Sequence, residues 1–445
     1  MKKVRIVILG GGFGGFYAAQ HLDRLIGSRT DIEVILVSRE NFILFTPMLH
    51  EVAAGDLDPG DIICPLRQML KHVEFLEADV EEIDLPQRRV SLAYSVHRRV
   101  KELTFDHLVL ALGSESNFFH LPGVEERSLG MKSVSDAFVL HNTALAMLEL
   151  ANLEQDALAK QRFLTFVVAG GGFAGVETLG ALNDFVRNAM KYYPSLSTAD
   201  LRMVLVHAGH ALLPELDESL GNYAQSKLES AKVEIFLQKR VAAFSNDGVE
   251  LASGEKIRAA TLVWTAGVAP PALVDSLPCH KEKGRIVAKE TMEVADFPGV
   301  WALGDCAWVP NPATGQPHPP TAQHAIRQGA HCAKNILAVV DGRRPAPFRF
   351  KTLGGLATVG HHSAVANIMG IRLSGFIAWC LWRAIYLAKL PRWEKRIRVL
   401  LRWMLDLIFP NDLSQHLSLA DVERVHRRIS YLQQEDAPPE TVHSI

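Results

Sequence analysis

The stretch 167–177, VVAGGGFAGVE, repeats a pattern already present at 7–17, VILGGGFGGFY. In both, an apolar run typical of a strand ends in glycines and is followed by a run typical of a helix. The spacing is G-x-G-x-x-G, formed by Gly10, Gly12 and Gly15 and then by Gly170, Gly172 and Gly175. In a strand–loop–helix unit these glycines permit a tight turn, close approach of a pyrophosphate and packing of helix on strand. One such motif is weak evidence, but two in the right context predict two dinucleotide-binding domains.

The similarity between the two halves extends past the glycine loops. FDHLVLALGS (105–114) and AATLVWTAGV (259–268) are both apolar runs that end in a small residue and a glycine. A third run, GVWALGDCA (299–307), ends in Gly304-Asp305. We therefore predict an α/β protein with two tandem Rossmann-like domains, the first of which resumes after the second. The expected boundaries are 1–115 (first domain, first part), 116–162 (linker and helix), 163–275 (second domain), 276–369 (first domain, return segment), 370–432 (C-terminal helices) and 433–445 (flexible tail).

Composition narrows the class of protein. A chain of 445 residues is too long for one ordinary core, and a net charge of −2 gives no global attraction to nucleic acid. The five cysteines form no C-x-x-C pair, which argues against a disulfide scaffold, a zinc site or a redox dithiol. The N-terminus leads directly into a glycine-bearing strand, so we expect no signal peptide. No uncharged apolar run reaches about 18 residues, so we expect no transmembrane helix and a cytoplasmic location.

Several motifs together resemble the type II NADH dehydrogenases, single-subunit flavoproteins that reduce membrane quinone without pumping protons. The resemblance covers residues 1 to about 412 and is carried by the two glycine loops, FTPMLHEVAAG (45–55), Gly304-Asp305, TAQHAIRQG (321–329), FKTLGGLATVG (350–360) and the C-terminal basic segment. It implies noncovalent FAD in the first domain and NADH, with NADPH as a second candidate, in the other. Hydride would pass from NAD(P)H to FAD N5, and two electrons would then reduce a quinone. It also implies a homodimer bound peripherally to the cytoplasmic face of the cell membrane, within a respiratory chain.

The resemblance also implies roles for individual residues. Asp305 would bind the ribityl chain of FAD, Pro47 would lie along the flavin, and Ala322, Gln323 and His324 would begin a helix beneath it. Gln323 is then the leading quinone-proximal residue, although relatives carry glutamine where this chain has Arg327. The remaining cofactor-binding candidates are Gly10, Gly12, Phe13, Gly15, Arg39, Glu40, Val80 and Gly113, and then Gly170, Gly172, Phe173, Gly175, Glu177, His207 and Gly267.

Two candidate catalytic residues have simpler alternatives. Glu177 is expected in the first turn of the helix that follows the second loop, where a carboxylate also suits the helix dipole. The resemblance instead implies a glutamate beside the nicotinamide and flavin. Lys351 could neutralise charge near the flavin or be an ordinary surface lysine.

Nucleotide preference depends on the end of the second strand of each domain, where an acid usually binds the adenosine ribose. The first domain has Glu40 two positions late, and the second has His207 instead of an acid. We therefore expect loose discrimination between NADH and NADPH in the second domain.

The C-terminal segment changes character at Gly370. Between 372 and 402 it contains one acid, Glu394, and eight basic residues: Arg372, Arg383, Lys389, Arg392, Lys395, Arg396, Arg398 and Arg402. The same region holds Trp379, Trp382, Trp393 and Trp403. Helical spacing places Trp393, Ile397, Leu400, Leu401, Met404 and Ile408 on one face. The pattern predicts amphipathic helices in the membrane interface, and a dimer-packing helix pair is the alternative.

Two other functions share some of these features. A sulfide:quinone oxidoreductase would need paired cysteines close to the flavin, for which only Cys306 and Cys332 are candidates. An FAD-binding redox sensor would need no turnover. Steady-state oxidation of NADH by a soluble quinone separates an enzyme from a sensor.

Overall fold

A computed structural model describes residues 3–94, 99–409, 412–417 and 421. The chain divides into two compact units, each made of several segments. The first unit contains Met1–Leu44, Ile63–Glu115 and Val268–Leu353, and the second contains Phe45–Ile62, Ser116–Gly267 and Gly354–Ile445. Each unit is described here by itself.

The strands of the described residues are β1 (Val4–Leu9), β2 (Ile32–Ser38), β3 (Phe42–Leu44), β4 (Ile63–Pro65), β5 (Glu74–Glu77), β6 (Asp79–Asp84), β7 (Arg89–Tyr94), β8 (Arg99–Thr104), β9 (His107–Leu110), β10 (Glu115–Ser116), β11 (Thr165–Ala169), β12 (Arg202–His207), β13 (Val233–Leu237), β14 (Val241–Ser245), β15 (Gly248–Leu251), β16 (Lys256–Ile257), β17 (Thr261–Trp264), β18 (Val268–Ala269), β19 (Lys281–Glu282), β20 (Arg285–Val287), β21 (Val300–Ala302), β22 (Ala307–Trp308), β23 (Gly354–Thr358), β24 (Ala364–Ile368) and β25 (Ile371–Ser374). The α-helices are α1 (Phe13–Ile26), α2 (Leu49–Ala53), α3 (Pro59–Ile62), α4 (Val124–Arg127), α5 (Val134–Leu153), α6 (Ala157–Phe163), α7 (Phe173–Ala189), α8 (Glu218–Ser230), α9 (Ala272–Asp275), α10 (Ala322–Val340), α11 (Gly375–Lys389) and α12 (Trp393–Leu405). Short 3₁₀ turns lie at Thr46–Met48, Leu66–Gln68, Met190–Tyr192 and Gly304–Cys306.

The first unit is built on a parallel sheet of five strands in the order β21-β9-β1-β2-β5. The last four residues of β1 are fully buried, as expected for a central strand covered on both faces. Helices α1 and α10 pack against each other at close range, because a Cβ atom on Gly329 of α10 would clash with the backbone carbonyl of Gly14 in α1. The glycine that ends TAQHAIRQG therefore serves this helix contact.

The second unit repeats that arrangement with four parallel strands in the order β13-β12-β11-β17. In both sheets, the strand before the glycine loop lies between two parallel neighbours. For β1 these are β2, which follows it in sequence, and β9, which comes much later; for β11 they are β12 and β17. That reversal of strand order is where dinucleotides bind in doubly wound sheets. The predicted fold class, two Rossmann-like domains in one α/β chain, is confirmed.

Smaller sheets complete the units. In the first unit these are β3-β4, β6-β7-β8 and β19-β20-β22, and in the second they are β14-β15-β16 and β23-β24-β25. The units differ from the expected domains at several boundaries, among them residues 268–275, which were expected in the second domain and belong to the first unit. Residues 45–62 and 354–369, expected in the first domain, belong to the second unit, and so does the expected linker 116–162. The helix expected within 116–162 is present as α5, which begins with a capping box between Ser133 and Asp136.

The C-terminal segment forms β25 and the two helices α11 and α12, which are separated around Pro391 as the sequence pattern predicts. Among the described residues, no helix combines the length and apolar character that a bilayer crossing requires. The expected tail, 433–445, and most of 410–432 lie outside the described residues.

Candidate functional site

The first glycine loop connects β1 to α1 in the first unit. Gly10 has a φ of +108°, and a Cβ atom there would clash with the carbonyl oxygen of Ala111 at the end of β9. A Cβ atom on Gly15 would likewise clash with the Gly10 carbonyl, so this glycine brings α1 close to the loop. By contrast, a Cβ atom on Gly12 would meet no described atom within 4 Å. Gly12 is therefore the point where the backbone is open to a ligand, at a helix start that no side chain of the described residues caps.

Asp305 lies in the turn after β21, on the same sheet edge as the glycine loop. Its Oδ2 atom accepts a hydrogen bond from the Ser114 hydroxyl at 2.9 Å. The turn is held by Gln328 of α10, whose Oε1 accepts the backbone N–H of Gly304 at 2.9 Å. Gly113, before Ser114, has a φ of +72° and open space at its Cβ position. Asp305 and Gly113 thus lie close to each other beyond the carboxyl ends of β21 and β9.

The N-terminus of α10 brings together several predicted residues. Ala322 and Gln323 form its first turn, and Gln323 Oε1 accepts the backbone N–H of Leu353 at 3.2 Å. Arg327 donates to the carbonyl oxygen of Gln323 at 3.0 Å, and its guanidinium lies 4.2 Å from the Phe350 ring centre. Lys351, expected near the flavin, is exposed in the same unit.

His324 is the third residue of the helix start that the resemblance places beneath the flavin. It is buried, and its Nδ1 lies 2.7 Å from the hydroxyl of Thr321, the residue that begins the helix. Burial lowers the pKa of His324 to about 4, so the ring is neutral at neutral pH. The i, i+3 spacing of Thr321 and His324 was the signal that could have indicated this contact.

The other candidates of the first unit line its periphery. Arg39 is exposed and forms ion pairs with Glu115 at 3.0 Å and Asp79 at 3.6 Å. Glu40 is exposed two residues beyond β2, while Phe13 and Val80 are partly buried against the core of the unit. The Arg39 guanidinium is thus already paired with two carboxylates of its own unit, whether or not it also binds a cofactor.

The second glycine loop has the same construction as the first. Gly170 has a φ of +117°, and a Cβ atom there would lie 2.7 Å from the Thr265 carbonyl oxygen at the end of β17. A Cβ atom on Gly175 would clash with the Gly170 carbonyl, as at Gly15 and Gly10. His207, at the end of β12, accepts the backbone N–H of Gly171 through Nδ1 at 3.0 Å. Both loops therefore fold for the same steric reasons.

Three further candidates lie in the second unit. Phe173 begins α7, and its ring faces Gly355 of β23, where a Cβ atom would lie 2.8 Å from it. Gly267 contacts the Phe119 ring, and its carbonyl accepts the Asn117 backbone N–H at 3.0 Å. Pro47, expected along the flavin, is half-buried in a 3₁₀ turn of this unit.

Glu177 is the fifth residue of α7, and the first turn of that helix contains no acidic residue. The expectation that Glu177 lies in the first turn is therefore wrong, and the helix dipole does not explain it. Its Oε1 accepts the backbone N–H of Thr358 at 3.2 Å, and its Oε2 lies 3.9 Å from His50 Nδ1. The His50 Nε2 and the Thr358 hydroxyl are 3.0 Å apart. Glu177, His50 and Thr358 thus form a closed buried cluster.

Burial fixes the charge state of this cluster. It raises the pKa of Glu177 to about 8 and lowers the pKa of His50 to about 3. At neutral pH the carboxyl group is protonated and the imidazole is neutral, so the two are not an ion pair. Trp382 of α11 packs edge-on against His50 at 5.4 Å. Sequence reasoning missed His50 and Thr358, although both lie within quoted motifs, because the pattern does not show which side chains face Glu177.

A second buried acid follows His50 directly. Glu51 accepts a hydrogen bond from the indole N–H of Trp403 at 3.1 Å and lies 3.9 Å from the Arg383 guanidinium. Arg383 in turn lies 4.1 Å from the Trp379 ring centre and 4.5 Å from that of Trp403. Burial raises the pKa of Glu51 to about 8, with the Arg383 charge opposing it. These contacts fasten α11 and α12 to α2.

The cysteines offer no reactive thiol pair. Cys306 and Cys332 are fully buried in the first unit. Burial raises the pKa of the Cys306 thiol to about 11 and that of Cys332 further still. Because the thiolate is the nucleophile, neither side chain is suited to sulfur transfer. Among the described residues, no group of histidine, cysteine and acidic side chains is arranged to hold a metal ion.

Comparison with known proteins agrees with this construction. Residues 4–329 match the sequence model of the pyridine nucleotide-disulphide oxidoreductases, and residues 353–412 match that of the NDH2 C-terminal domain. The chain is 32% identical to a type II NADH:quinone oxidoreductase of Mycobacterium tuberculosis, over 90% of this chain and 88% of that protein. It is 31% identical to a demethylphylloquinone reductase of Synechocystis, over 90% and 96% respectively.

Solved structures share the fold at lower identity. NDH2 of Plasmodium falciparum, in complex with NADH, superposes with a TM-score of 0.86 over 93% of this chain and 100% of that chain, at 19% identity. The sulfide:quinone oxidoreductase of Aquifex aeolicus gives a TM-score of 0.68 over 88% and 91%, at 18% identity. By its two glycine loops, its C-terminal domain and its curated relatives, the chain belongs to the pyridine nucleotide-disulphide oxidoreductase family and, within it, to the type II NADH:quinone oxidoreductases.

Proposed function

We propose that this protein oxidises NADH and reduces a quinone, with FAD as its redox cofactor and without pumping protons. The observation that carries the proposal is that each unit contains a glycine loop built in the same way at the switch point of a parallel sheet. Two such loops accommodate two dinucleotides. The family membership supports FAD as one and a nicotinamide nucleotide as the other. The overall reaction, NADH + H⁺ + quinone → NAD⁺ + quinol, balances in atoms and electrons.

The residues of the first unit fit FAD. Gly12 leaves the backbone open at the start of α1, where amide N–H groups can bind a pyrophosphate. The Asp305 carboxylate, oriented by Ser114, is placed to accept hydrogen bonds from a polyol chain. Glu40 is exposed beyond β2 for the adenosine ribose. When bound, FAD would accept the hydride of NADH and pass two electrons to quinone.

The N-terminus of α10 is our candidate for the electron-accepting side. Its amide N–H groups and dipole favour negative charge on a ring system placed against Ala322 and Gln323. The neutral His324 adds no competing charge there. Gln323, fixed by Leu353, is the proposed quinone-proximal residue. The cations of the same unit proposed to act there are Arg327, which donates to the Gln323 carbonyl oxygen, and the exposed Lys351.

In the second unit, Glu177 is the proposed group beside the nicotinamide. Its protonated carboxyl group can both donate and accept a hydrogen bond, which suits a carboxamide. His50 and Thr358 hold it in one orientation. We call His50 and Thr358 positioning residues because they would act through Glu177.

Helix α12 is the proposed membrane contact, on the cytoplasmic face of the cell membrane. Its exposed apolar residues are Trp393, Ile397, Leu400, Leu401, Met404 and Leu405. Such a face suits insertion into the headgroup region. Four of the eight basic residues of the C-terminal segment form ion pairs with acidic residues of the same chain, namely Arg372, Arg383, Arg392 and Arg402. Trp382 and Trp403 are buried. Apolar side chains would therefore contribute more to docking than the sequence pattern suggests.

The sulfide:quinone alternative is disfavoured by the buried thiols of Cys306 and Cys332. The decisive experiment is anaerobic titration of the purified yellow protein, followed by absorbance. NADH should bleach the flavin band, and a soluble quinone should restore it with one quinol formed per NADH. Bleaching by sulfide but not by NADH would overturn the proposal in favour of a sulfide oxidase. Binding of NADH without bleaching would indicate a sensor. Light scattering of the same sample tests the proposed homodimer.

A further inference from the structure

The second glycine loop differs from the first in one respect that the sequence pattern did not show. In the first loop, a Cβ atom on Gly12 would meet nothing within 4 Å among the described residues. In the second, a Cβ atom on Gly172 would lie 3.7 Å from the Oε1 atom of Glu215. A carboxylate therefore stands beside the loop that binds the nucleotide, eight residues after the strand end where His207 replaces the usual acid.

The position of Glu215 is fixed by the loop that carries it. The backbone N–H of Leu213 donates to the Gly171 carbonyl at 2.8 Å, and that of Leu216 donates to the Leu213 carbonyl at 2.8 Å. Leu212 and Leu213 are buried, so the segment is anchored just before Glu215. The neighbouring acid, Asp217, is engaged elsewhere: it caps α8 and pairs with Arg372 at 3.0 Å. Glu215 is thus the acid of this segment that faces the glycine loop.

His207 does not provide the opposite charge. Its Nδ1 atom accepts the Gly171 backbone N–H, which commits the ring to holding the loop. Burial lowers the pKa of His207, so the ring is uncharged at neutral pH. A 2′-phosphate on the adenosine ribose would therefore gain no positive charge from this side chain.

The cation next to His207 in space is already paired. The backbone N–H of Lys239 donates to the His207 carbonyl at 3.0 Å, which places Lys239 beside the end of β12. Its ammonium group lies 3.1 Å from the Ser253 hydroxyl and 3.5 Å from the Glu255 carboxylate. Around the end of β12, the described side chains thus include the acid Glu215, the neutral His207, a lysine with a carboxylate partner and the exposed His210, which also lies near His207.

We infer that Glu215 is the residue that selects NADH over NADPH, by accepting hydrogen bonds from the adenosine ribose and repelling a 2′-phosphate. The inference rests on the proposed function and deepens it. It replaces the expectation of loose discrimination, which followed from His207 alone. In this protein, the acid that binds the adenosine ribose would lie in the loop after β12 instead of at the end of that strand.

The test compares nucleotide binding by Glu215→Gln with that of the wild-type protein. Dissociation constants for NAD⁺ and NADP⁺ are measured by calorimetry on the flavin-loaded protein, so that turnover is not required. Wild-type protein should bind NAD⁺ more tightly, and the preference should fall about tenfold in Glu215→Gln because a charged hydrogen-bond acceptor is lost. Glu215→Lys should reduce it further. The matched control is Asp247→Asn, the same charge change at an exposed turn between β14 and β15, which should leave the preference unchanged.

The outcomes separate the inference from the function on which it rests. An unchanged preference in Glu215→Gln, or equal tightening of both nucleotides, overturns the role of Glu215. Equal tightening would mean that the carboxylate only repels the pyrophosphate. Failure of the wild-type protein to oxidise NADH overturns the proposed function, while the binding ratio still tests Glu215. A melting temperature close to that of wild-type protein confirms that the variant is folded.

Discussion

At the scale of single residues, the buried acids of the second unit determine much of the chemistry. Glu177 and Glu51 are both protonated at neutral pH because burial penalises their charged forms. Their surroundings differ, however. Glu51 lies beside Arg383, whereas Glu177 contacts the neutral His50 and Thr358. The two buried acids can therefore be compared directly. Glu177 is proposed to bind the nicotinamide, whereas Glu51 fastens α11 and α12 to α2.

The first prediction concerns Glu177→Gln. The amide keeps the volume of the side chain and can still accept the Thr358 N–H, but its NH2 group replaces the acidic O–H that is proposed to pair with the carboxamide. We expect the rate of flavin reduction by NADH to change about tenfold or more, with FAD content and melting temperature nearly unchanged. Stopped-flow absorbance measures the rate. Wild-type kinetics in the variant would leave Glu177 only a structural role.

The second prediction is a pH dependence of stability. The ordinary pKa of Glu177 and Glu51 is 4.5, and in the folded protein it is about 8. Between these values the folded state binds more protons than the unfolded state, so the free energy of unfolding falls as pH rises. We expect a loss of about 5 kcal/mol per carboxyl group across this window. Urea unfolding at several pH values measures it.

Single substitutions provide the control for that experiment. Glu177→Gln and Glu51→Gln should each remove part of the fall between pH 4.5 and 8. His50 acts in a different window, since its lowered pKa of about 3 makes stability rise between pH 3 and 6.5. A fall above pH 5 that persists undiminished in both glutamine variants would contradict the assignment.

At the scale of elements, α12 has two distinct faces. Val399 and Trp403 are buried, and the indole of Trp403 reaches Glu51. The opposite face exposes Ile397 and Leu401, with 47% and 54% of their surface accessible. The buried face makes deletion of the helices a poor test of membrane binding, because deletion would also remove the fully buried Trp382.

The third prediction therefore alters only the exposed face. Ile397→Glu combined with Leu401→Glu should weaken binding to anionic vesicles by at least about tenfold, because two apolar anchors become charged. Oxidation of NADH by a long-tailed quinone in vesicles should fall in parallel. Reduction of a water-soluble acceptor should continue. Co-sedimentation and steady-state rates measure these effects.

The matched control is Leu153→Glu, which charges a residue of α5 that is 77% exposed. It should leave vesicle binding unchanged. Undiminished binding in the α12 variant would place the membrane contact elsewhere. Loss of every activity together would show that the exposed face belongs to the fold or to a dimer contact.

At the scale of the whole molecule, the sequence predicted the fold class and the return of the chain to the first unit, but not that residues 45–62 and 354–369 belong to the second unit. Glycine spacing determines local backbone geometry, so Gly10 and Gly170 identified both sheets correctly. The position of residues 45–62 in the second unit depends on tertiary contacts that leave no periodic signal. For the same reason, Glu177 was placed one turn too early and its partner His50 was missed.

The fourth prediction is that FAD is bound without a covalent bond. Neither Cys306 nor Cys332 has an accessible thiol, and His324 is engaged with Thr321. Acid precipitation should therefore release all of the yellow chromophore into the supernatant. Chromophore retained in the pellet after washing would contradict the prediction. The stoichiometry of released FAD should be one per chain.

The interleaving of the two units has a consequence for synthesis on the ribosome. The parallel sheet of the second unit is complete once β17 has emerged, at Trp264. The first unit began earlier, yet it lacks β21, Asp305 and α10 until nearly 80 further residues have followed (from Trp264 to Val340). The sheet of the second unit can thus form before that of the first unit is complete. Until β21 is synthesised, β9 is an unpaired apolar edge strand of the first sheet. Nascent chains that end between Trp264 and Val340 would therefore depend most on chaperones. Flavin could bind only once α10 has been synthesised.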